Sequence, residues 1–268
     1  MSFDSDDYLS RHFKTSGAEL ESKLDELTAL VVPENSPNLS LYREMLVTVT
    51  RMAQADRSRW DAKILLQTMR EMEHAFSRLD QFKRRRKVTV FGSARTPVEH
   101  PLYALARQLG SILAHYNFMV ITGAGGGIMA AAHEGAGRDS SLGLNITLPF
   151  EQHPNPTVGG TENLLSFHFF FVRKLFFIKE ADALVLCPGG FGTLDEALEV
   201  LTLIQTLKVE KTMPIVVYGT EFWNDILNLD AMARWGVISH SDLDLFTFAD
   251  SPKEAFTYLT TELERIYL

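Results

Sequence analysis

The stretch from Ala183 to Glu196, Ala-Leu-Val-Leu-Cys-Pro-Gly-Gly-Phe-Gly-Thr-Leu-Asp-Glu, leaves this chain few ways to fold. An apolar run of strand length breaks at Pro188-Gly189-Gly190 and again at Gly192. The apolar residues resume at Leu194, Ala197, Leu198 and Leu201, which is helical spacing. A buried strand, a glycine turn and a helix N-terminus in succession aim free backbone N–H groups and the positive end of a helix dipole at one point. That point suits an anion, most often phosphate. Thr193 adds a hydroxyl. Glu196 falls one turn further on, on the same face as Gly192 and Thr193. A carboxylate repels a phosphate set directly against it, so its partner is whatever lies beyond the phosphate, such as a ribose. A nucleoside monophosphate meets both demands.

The same alternation recurs from residue 88 onward. Val88–Gly92, Phe118–Thr122, Leu142–Leu148, Leu164–Phe169, Pro214–Tyr218 and Leu245–Phe248 have strand length and apolar character. Helical patterns separate them: Pro101–His115, a helix through Ala136, one carrying Arg173 and Lys174, one from Glu221, and a last one ending near Ile266. Short apolar strands alternating with helices predict a parallel sheet covered on both faces. With right-handed crossovers this is an α/β fold, a doubly wound Rossmann-like parallel sheet with its ligand crevice at the carboxyl ends of the strands. The unusual residues follow strand ends: Gly92-Ser93-Ala94-Arg95 the first, Gly123 to Gly127 the second, Pro188 to Thr193 the fifth. Two Gly-rich turns feeding one crevice suit a single nucleotide, one holding phosphate while the other admits base or sugar closely.

Before residue 84 the texture differs. Spacing predicts helices over Ser16–Leu30, Ser40–Ala55 and Ser58–Gln81, the last with Trp60, Ile64, Met69, Met72, Phe76 and Leu79 on one stripe. Residues 1 to about 15 are polar and acidic and are expected to fray. We therefore expect an N-terminal helical extension over 1–83, serving as a cap or oligomerisation arm, and a nucleotide-binding catalytic domain over 84–268.

Composition works by exclusion. A net charge of −8 and a pI near 5.5 speak against general nucleic-acid or membrane-surface binding. The basic run Lys83-Arg84-Arg85-Arg86-Lys87 has no interleaved aromatics and reads as a solvated helix C-terminus. The single Cys187 rules out an intrachain disulfide framework and fits a reducing compartment. With no signal-peptide pattern in Met-Ser-Phe-Asp-Ser-Asp-Asp and no apolar run of spanning length, a cytoplasmic protein is expected. Neither cofactor nor metal is expected. The eight histidines are scattered, and His168, within an aromatic strand, reads as a packed core histidine. Gly123-Ala-Gly-Gly-Gly-Ile-Met approaches a dinucleotide fingerprint, but Ile128 stands where the third glycine belongs, and no acidic residue closes the next strand. A Walker-A ending and a G-x-S-x-G elbow are absent.

Pro188-Gly-Gly-Phe-Gly-Thr-Leu-Asp-Glu196 resembles the PGGxGTxxE signature of the LOG ("lonely guy") family, the cytokinin riboside 5′-monophosphate phosphoribohydrolases. Arg173-Lys174 matches the Arg-Lys pair that this family carries on the preceding helix, and Gly125-Gly126-Gly127-Ile-Met129 is similar to its nucleotide-binding turn. The likeness covers roughly residues 88 to 220. Departures are Phe170 and Phe177 where methionine is common, Leu203 for a frequent tryptophan, and Val209-Glu210 for a His-bearing stretch. The resemblance implies cleavage of the N-glycosidic bond of AMP or N6-modified AMP to free base and ribose 5-phosphate, by a homodimer or multiple of dimers. It casts Arg173 and Glu196 as catalytic. Ser93, Gly125, Gly126, Gly127, Met129, Lys174, Gly189, Gly190, Gly192 and Thr193 would bind the substrate. Thr193-Leu-Asp-Glu196 is also a capping box, in which the glutamate returns to a backbone N–H. A competing class is a non-catalytic nucleotide or molybdenum-cofactor carrier, which needs the glycines but not the Arg173–Glu196 dyad.

Overall fold

A computed structural model describes residues 17–149, 153–209 and 211–267; the segment expected to fray and Glu210 fall outside them. Helices α1 (Ala18–Val31), α2 (Leu39–Gln54) and α3 (Arg59–Leu79) come first, close to the spans the spacing predicts. The chain separates into two compact units after Gln67, inside α3. This division marks where packing changes, whereas the change of sequence texture near residue 84 marks where strands begin. In the first unit α1 and α2 are tied by Arg43, whose guanidinium reaches Glu21 at 2.7 Å and Asp25 at 2.5 Å.

The second unit is built on seven parallel strands: β1 (Lys87–Phe91), β2 (Met119–Thr122), β3 (Ser141–Ile146), β4 (Leu164–Phe167), β5 (Ala183–Leu186), β6 (Ile215–Tyr218) and β7 (Thr247–Ala249). Their order is β4-β3-β2-β1-β5-β6-β7. The chain moves outward from β1 through β4, then returns to the other side of β1 for β5 to β7. The order therefore reverses between β1 and β5, where an open α/β sheet leaves a crevice. The connecting helices are α4 (Pro101–His115), α5 (Gly127–Ala136), α6 (Phe170–Glu180), α7 (Phe191–Gln205), α8 (Thr220–Ile226), α9 (Leu229–Arg234) and α10 (Pro252–Tyr267).

Alternating side chains of each strand serve opposite layers. Val88, Val90, Val120, Val185 and Val216 pack with Leu109, Leu113, Ala131 and Leu259, from α4, α5 and α10. Phe91, Ile121, Leu142, Leu184 and Ile215 pack with Phe176, Phe177, Val200 and Trp223, from α6, α7 and α8. The sheet is doubly wound, as the sequence predicts.

The apolar stripe of α3 is divided: Leu79 is buried and Met72 packs against the core, whereas Trp60, Met69 and Phe76 are exposed, and Glu71 and Ala75 are buried along with Leu79, one turn apart each. One expectation needs correction. The basic run is solvated only in part, because β1 begins within it. Lys87 is buried, with its ammonium 3.4 Å from the buried Glu180 carboxylate. Arg85 donates to the carbonyl of Asp139 at 2.7 Å and to the Ser140 hydroxyl at 3.1 Å.

Helices α4 and α5 approach unusually closely. A Cβ on Gly135 would sit inside the Arg107 carbonyl oxygen, and one on Gly110 inside that of Ala132. Gly→Ala in a helix ordinarily gains about 1 kcal/mol. Here overpacking against backbone costs about 1–3 kcal/mol or more. Gly135→Ala should therefore lower the denaturant midpoint of unfolding, a sign opposite to helix propensity.

Candidate active site

Three strand-end turns meet at the reversal point, and the backbone of Ser93 joins them. Its N–H donates to the Pro188 carbonyl at 3.0 Å, and its carbonyl accepts from the Ile128 N–H at 2.9 Å. The turn after β1 is thereby tied to the turn after β5 and to the start of α5. Contacts this close exclude side chains. Gly127 has φ +57°, and a Cβ there would run into the Ser93 carbonyl. A Cβ on Gly189 would strike the Thr193 hydroxyl and lie 3.0 Å from the Ser93 nitrogen. The Ser93 hydroxyl accepts from the Arg95 N–H at 3.0 Å, so it braces its own loop.

On the crevice side of α7, Gly190 is the N-cap and contributes no side-chain cap, and its carbonyl accepts from the Leu194 N–H at 3.0 Å. The opening N–H groups of a helix have no preceding carbonyl to reach, so they present donors to a ligand. Space is open beside both Gly190 and Gly192, and Thr193 is buried beneath them. The capping box is not formed. Helix α7 starts at Phe191, which sets Thr193 and Glu196 too deep in the helix to cap it.

Glu196 turns instead to α6, where the Arg173 guanidinium donates to Oε1 at 2.9 Å with both side chains nearly enclosed. Burial raises the Glu196 carboxyl to about 7, only partly offset by the cation of Arg173. Burial likewise pulls Arg173 downward, with Glu196 and Asp195 opposing. Lys174, next on α6, is held at 2.7 Å by both Asp195 and Glu199 of α7. The two helices are thus joined by an array of two cations and three carboxylates.

Gly123 brings the second turn to this pair. A Cβ there would meet the Met129 sulfur at 2.9 Å and a guanidinium nitrogen of Arg173 at 3.7 Å. Gly125 and Gly126 continue the same turn, and Gly125 offers its carbonyl to Asn155. The glycines of both turns, Thr193, Met129, Arg173 and Glu196 therefore gather around one crevice. Lys174 lies beside it with its ammonium engaged by carboxylates.

Sequence reasoning missed what holds the second turn. Ala124 takes φ +59° without being glycine. Its N–H donates to the Thr122 hydroxyl at 3.0 Å, and its carbonyl accepts from the Asn155 N–H at 2.7 Å. The Asn155 amide donates at 3.2 Å both to the Gly125 carbonyl and to Nδ1 of the fully buried His133. His133 Nε2 lies 3.2 Å from the Thr122 hydroxyl. With Nδ1 accepting, the network assigns the ring proton to Nε2. Burial lowers His133 to about 4 and keeps it neutral. Asn155 sits between two prolines in a loop, where polar residues are ordinarily solvated, so its sequence gives no sign of this role. His168, expected in a core, is exposed just beyond β4; the buried histidine is His133. Burial also pushes the Cys187 thiol up to about 12. Among the described residues no group of three His, Cys, Asp or Glu side chains could hold a metal ion, and no helix is long and apolar enough to cross a membrane.

Residues 126–259, half of the chain, match a protein-family model described as possible lysine decarboxylase. The chain is 29% identical over 182 residues to the probable cytokinin riboside 5′-monophosphate phosphoribohydrolase LOG4 of Oryza sativa subsp. japonica, spanning 65% of this chain and 76% of that protein. It is 30% identical over 155 residues to the cytokinin riboside 5′-monophosphate phosphoribohydrolase LOG1 of Arabidopsis thaliana, spanning 56% and 70%. The chain belongs to the LOG family. Among solved structures, this LOG-family chain aligns with the molybdenum cofactor binding protein from Rippkaea orientalis at 19% identity and a TM-score of 0.45, over 67% of this chain and 98% of that one. It aligns with the Moco carrier protein from Chlamydomonas reinhardtii at 20% identity and a TM-score of 0.45, over 68% and 99%.

In this LOG-family chain the Asn155–His133–Thr122 network is open to a direct test. Asn155→Ala strands the Gly125 carbonyl and His133 Nδ1 without donors, which costs about 1–3 kcal/mol. Urea unfolding should show a loss of that size, and the amides of 123–127 should exchange faster with solvent.

Proposed function

We propose that this LOG-family chain hydrolyses the N-glycosidic bond of an adenine-type nucleoside 5′-monophosphate, AMP or N6-modified AMP, to the free base and ribose 5-phosphate. The observation that carries this reading is the enclosed Arg173–Glu196 pair beside the glycine turn that opens α7. Lysine decarboxylation and phosphoribohydrolysis are different reactions, and the crevice favours the glycosidase. Helix-opening N–H groups and a guanidinium form a donor-rich surface that suits a phosphate better than the two ammonium groups of lysine. Gly189, Gly190, Gly192 and Thr193 would hold the phosphate. Gly125 to Gly127 and Met129 would admit the sugar and base, and Ser93 would fix the spacing of the turns. Lys174 would act from the crevice wall, orienting Asp195 and Glu199.

Cleavage breaks the C1′–N bond with its electron pair leaving on the base, and builds positive charge on the sugar. Water then bonds to C1′, and its proton balances the departing base. A carboxylate facing C1′ stabilises the cation and orients that water. Arg173 fixes the rotamer of Glu196 and keeps part of it ionised at neutral pH. A carrier would need no such dyad.

Recognition of phosphate by several charge-assisted hydrogen bonds contributes on the order of a thousandfold in specificity. AMP should release adenine and adenosine should be nearly inert, as resolved by chromatography. Comparable rates on the two would remove phosphate from this turn.

Glu196→Gln keeps the acceptor to Arg173 but removes the charge, so turnover should fall about a hundredfold or more while AMP affinity survives. A folded, AMP-binding variant with near wild-type turnover would end the mechanism. The raised carboxyl also sets a pH dependence. If the ionised form acts, kcat climbs as pH rises through about 7, and the limb vanishes in Glu196→Gln. Stability runs the other way. A group raised on folding contributes most below its unfolded value, and that contribution is lost as pH rises through about 7. The stability difference between wild type and variant should therefore move toward the variant over this window in urea titrations.

We also propose a homodimer or a multiple of dimers. Trp60, Leu66, Met69 and Phe76, exposed apolar residues of α3, support this reading. Light scattering at micromolar concentration should give at least twice the 30.2 kDa chain mass, and a monomer would refute it.

A further inference from the structure

A basic concavity lies away from the glycine turns. Lys87 opens β1, Asp182 precedes β5 and Lys211 precedes β6, which places it at the amino ends of the central strands, opposite the crevice. A cavity of about 670 Å³ opens there, lined by seven Lys or Arg residues and three carboxylates, a net of +4 (seven minus three) in a chain whose total is −8.

The three carboxylates do not neutralise this wall. Asp80 pairs with Lys83 at 2.9 Å, and Asp182 lies 4.0 Å from Arg86. Glu180 is shared between Lys87 at 3.4 Å and Lys179 at 2.6 Å. Among the described residues Lys211 donates only to backbone carbonyls, of Lys179 at 2.8 Å and Ala181 at 2.5 Å. Arg85 bonds to carbonyls and a hydroxyl, and its Nε is buried with no hydrogen-bond partner. Arg84 has no partner among the described residues. Carbonyl dipoles satisfy N–H donors but leave the charge uncompensated. Burial draws Lys211 downward, opposed by Asp182 and Glu180, with Lys179 and Lys87 adding smaller effects.

We infer that this cavity binds a small multivalent anion carrying two or more phosphate groups. Guanidinium forks and ammonium groups on facing walls match phosphate oxygens in geometry and charge. A long nucleic acid fits less well. The cavity is concave, the surrounding protein is acidic, and among the described residues Phe76 is the only aromatic one lining it. Helix α6 carries Arg173 near its first turn and ends at Lys179 and Glu180 in the cavity wall, so one helix spans from the crevice to this cavity.

The test is calorimetry of the full chain with inorganic tripolyphosphate, repeated with citrate and with a single-stranded oligonucleotide. The expected result is one saturable tripolyphosphate site that Arg84→Ser with Lys83→Ser weakens about tenfold or more. Both side chains are exposed, so the variant should fold, as circular dichroism would check. Gly189→Ala, which disturbs the crevice turn, should leave this site unchanged. Absence of saturable binding, or a loss caused by Gly189→Ala and not by the basic variant, overturns the inference. Equal affinity for citrate overturns the phosphate assignment. Tighter oligonucleotide binding with the same sensitivity to Arg84 makes the surface a nucleic-acid face instead. Failure of AMP hydrolysis would leave this result untouched, since it is read by binding alone.

Discussion

The organisation of this protein depends on how closely three backbone turns approach at the centre of the sheet. Ser93 offers its N–H to one turn and its carbonyl to another, and both bonds require neighbours without side chains. Gly127 must pass beneath the Ser93 carbonyl in a left-handed conformation, and Gly189 must lie against Thr193. Moving either turn outward by a methyl group would separate the start of α5 from the start of α7. The two donor-bearing turns would then address different volumes. The crevice is thus a consequence of backbone packing, and the ionisable groups are arranged around a space that the glycines have already set.

Within that frame, desolvation outweighs pairing. Arg173 and Glu196 stand at ion-pair distance, yet burial moves each toward its neutral form. A pair at the surface would remain fully ionised and contribute little to stability. Enclosing it costs stability but keeps the carboxylate poorly hydrated, the condition under which it interacts most strongly with developing positive charge. Lys174 moderates the same locality by gathering Asp195 and Glu199, whose charges would otherwise push Glu196 further upward.

The sequence disclosed the parts of this design that depend on residue type. Strand–glycine–helix transitions marked the three turns, and alternation of short apolar runs marked the doubly wound sheet. Hidden were features that depend on partners distant in the chain. Asn155 and His133 are ordinary polar residues in sequence, and only the fold brings them together beneath Gly125. The apolar stripe of α3 gave no sign of the buried Glu71, because burial follows what a helix packs against, and Glu71, Ala75 and Leu79 form the face turned inward. Lys87 reads as one more cation in a basic run until β1 starts at it and encloses it with Glu180.

Glu71 shows why the last turns of α3 belong with the sheet. Helix α6 begins at Phe170 with Phe169 as its N-cap, a residue with no side-chain acceptor for the opening N–H groups. The Glu71 carboxylate, from another helix, accepts from the N–H groups just before α6, that of His168 at 2.8 Å and, more weakly, that of Phe169 at 3.4 Å. A buried carboxylate in this position ties down the chain entering α6 and places negative charge near the positive end of its dipole. Arg173 lies in the first turn of that helix, one turn beyond the residue whose carbonyl its own N–H engages, Phe169. Fixing the entry of α6 therefore fixes where the guanidinium emerges, and with it the geometry offered to Glu196. The Glu71 carboxylate is one way in which the final turns of α3 act on the crevice, a role that an apolar periodicity cannot reveal.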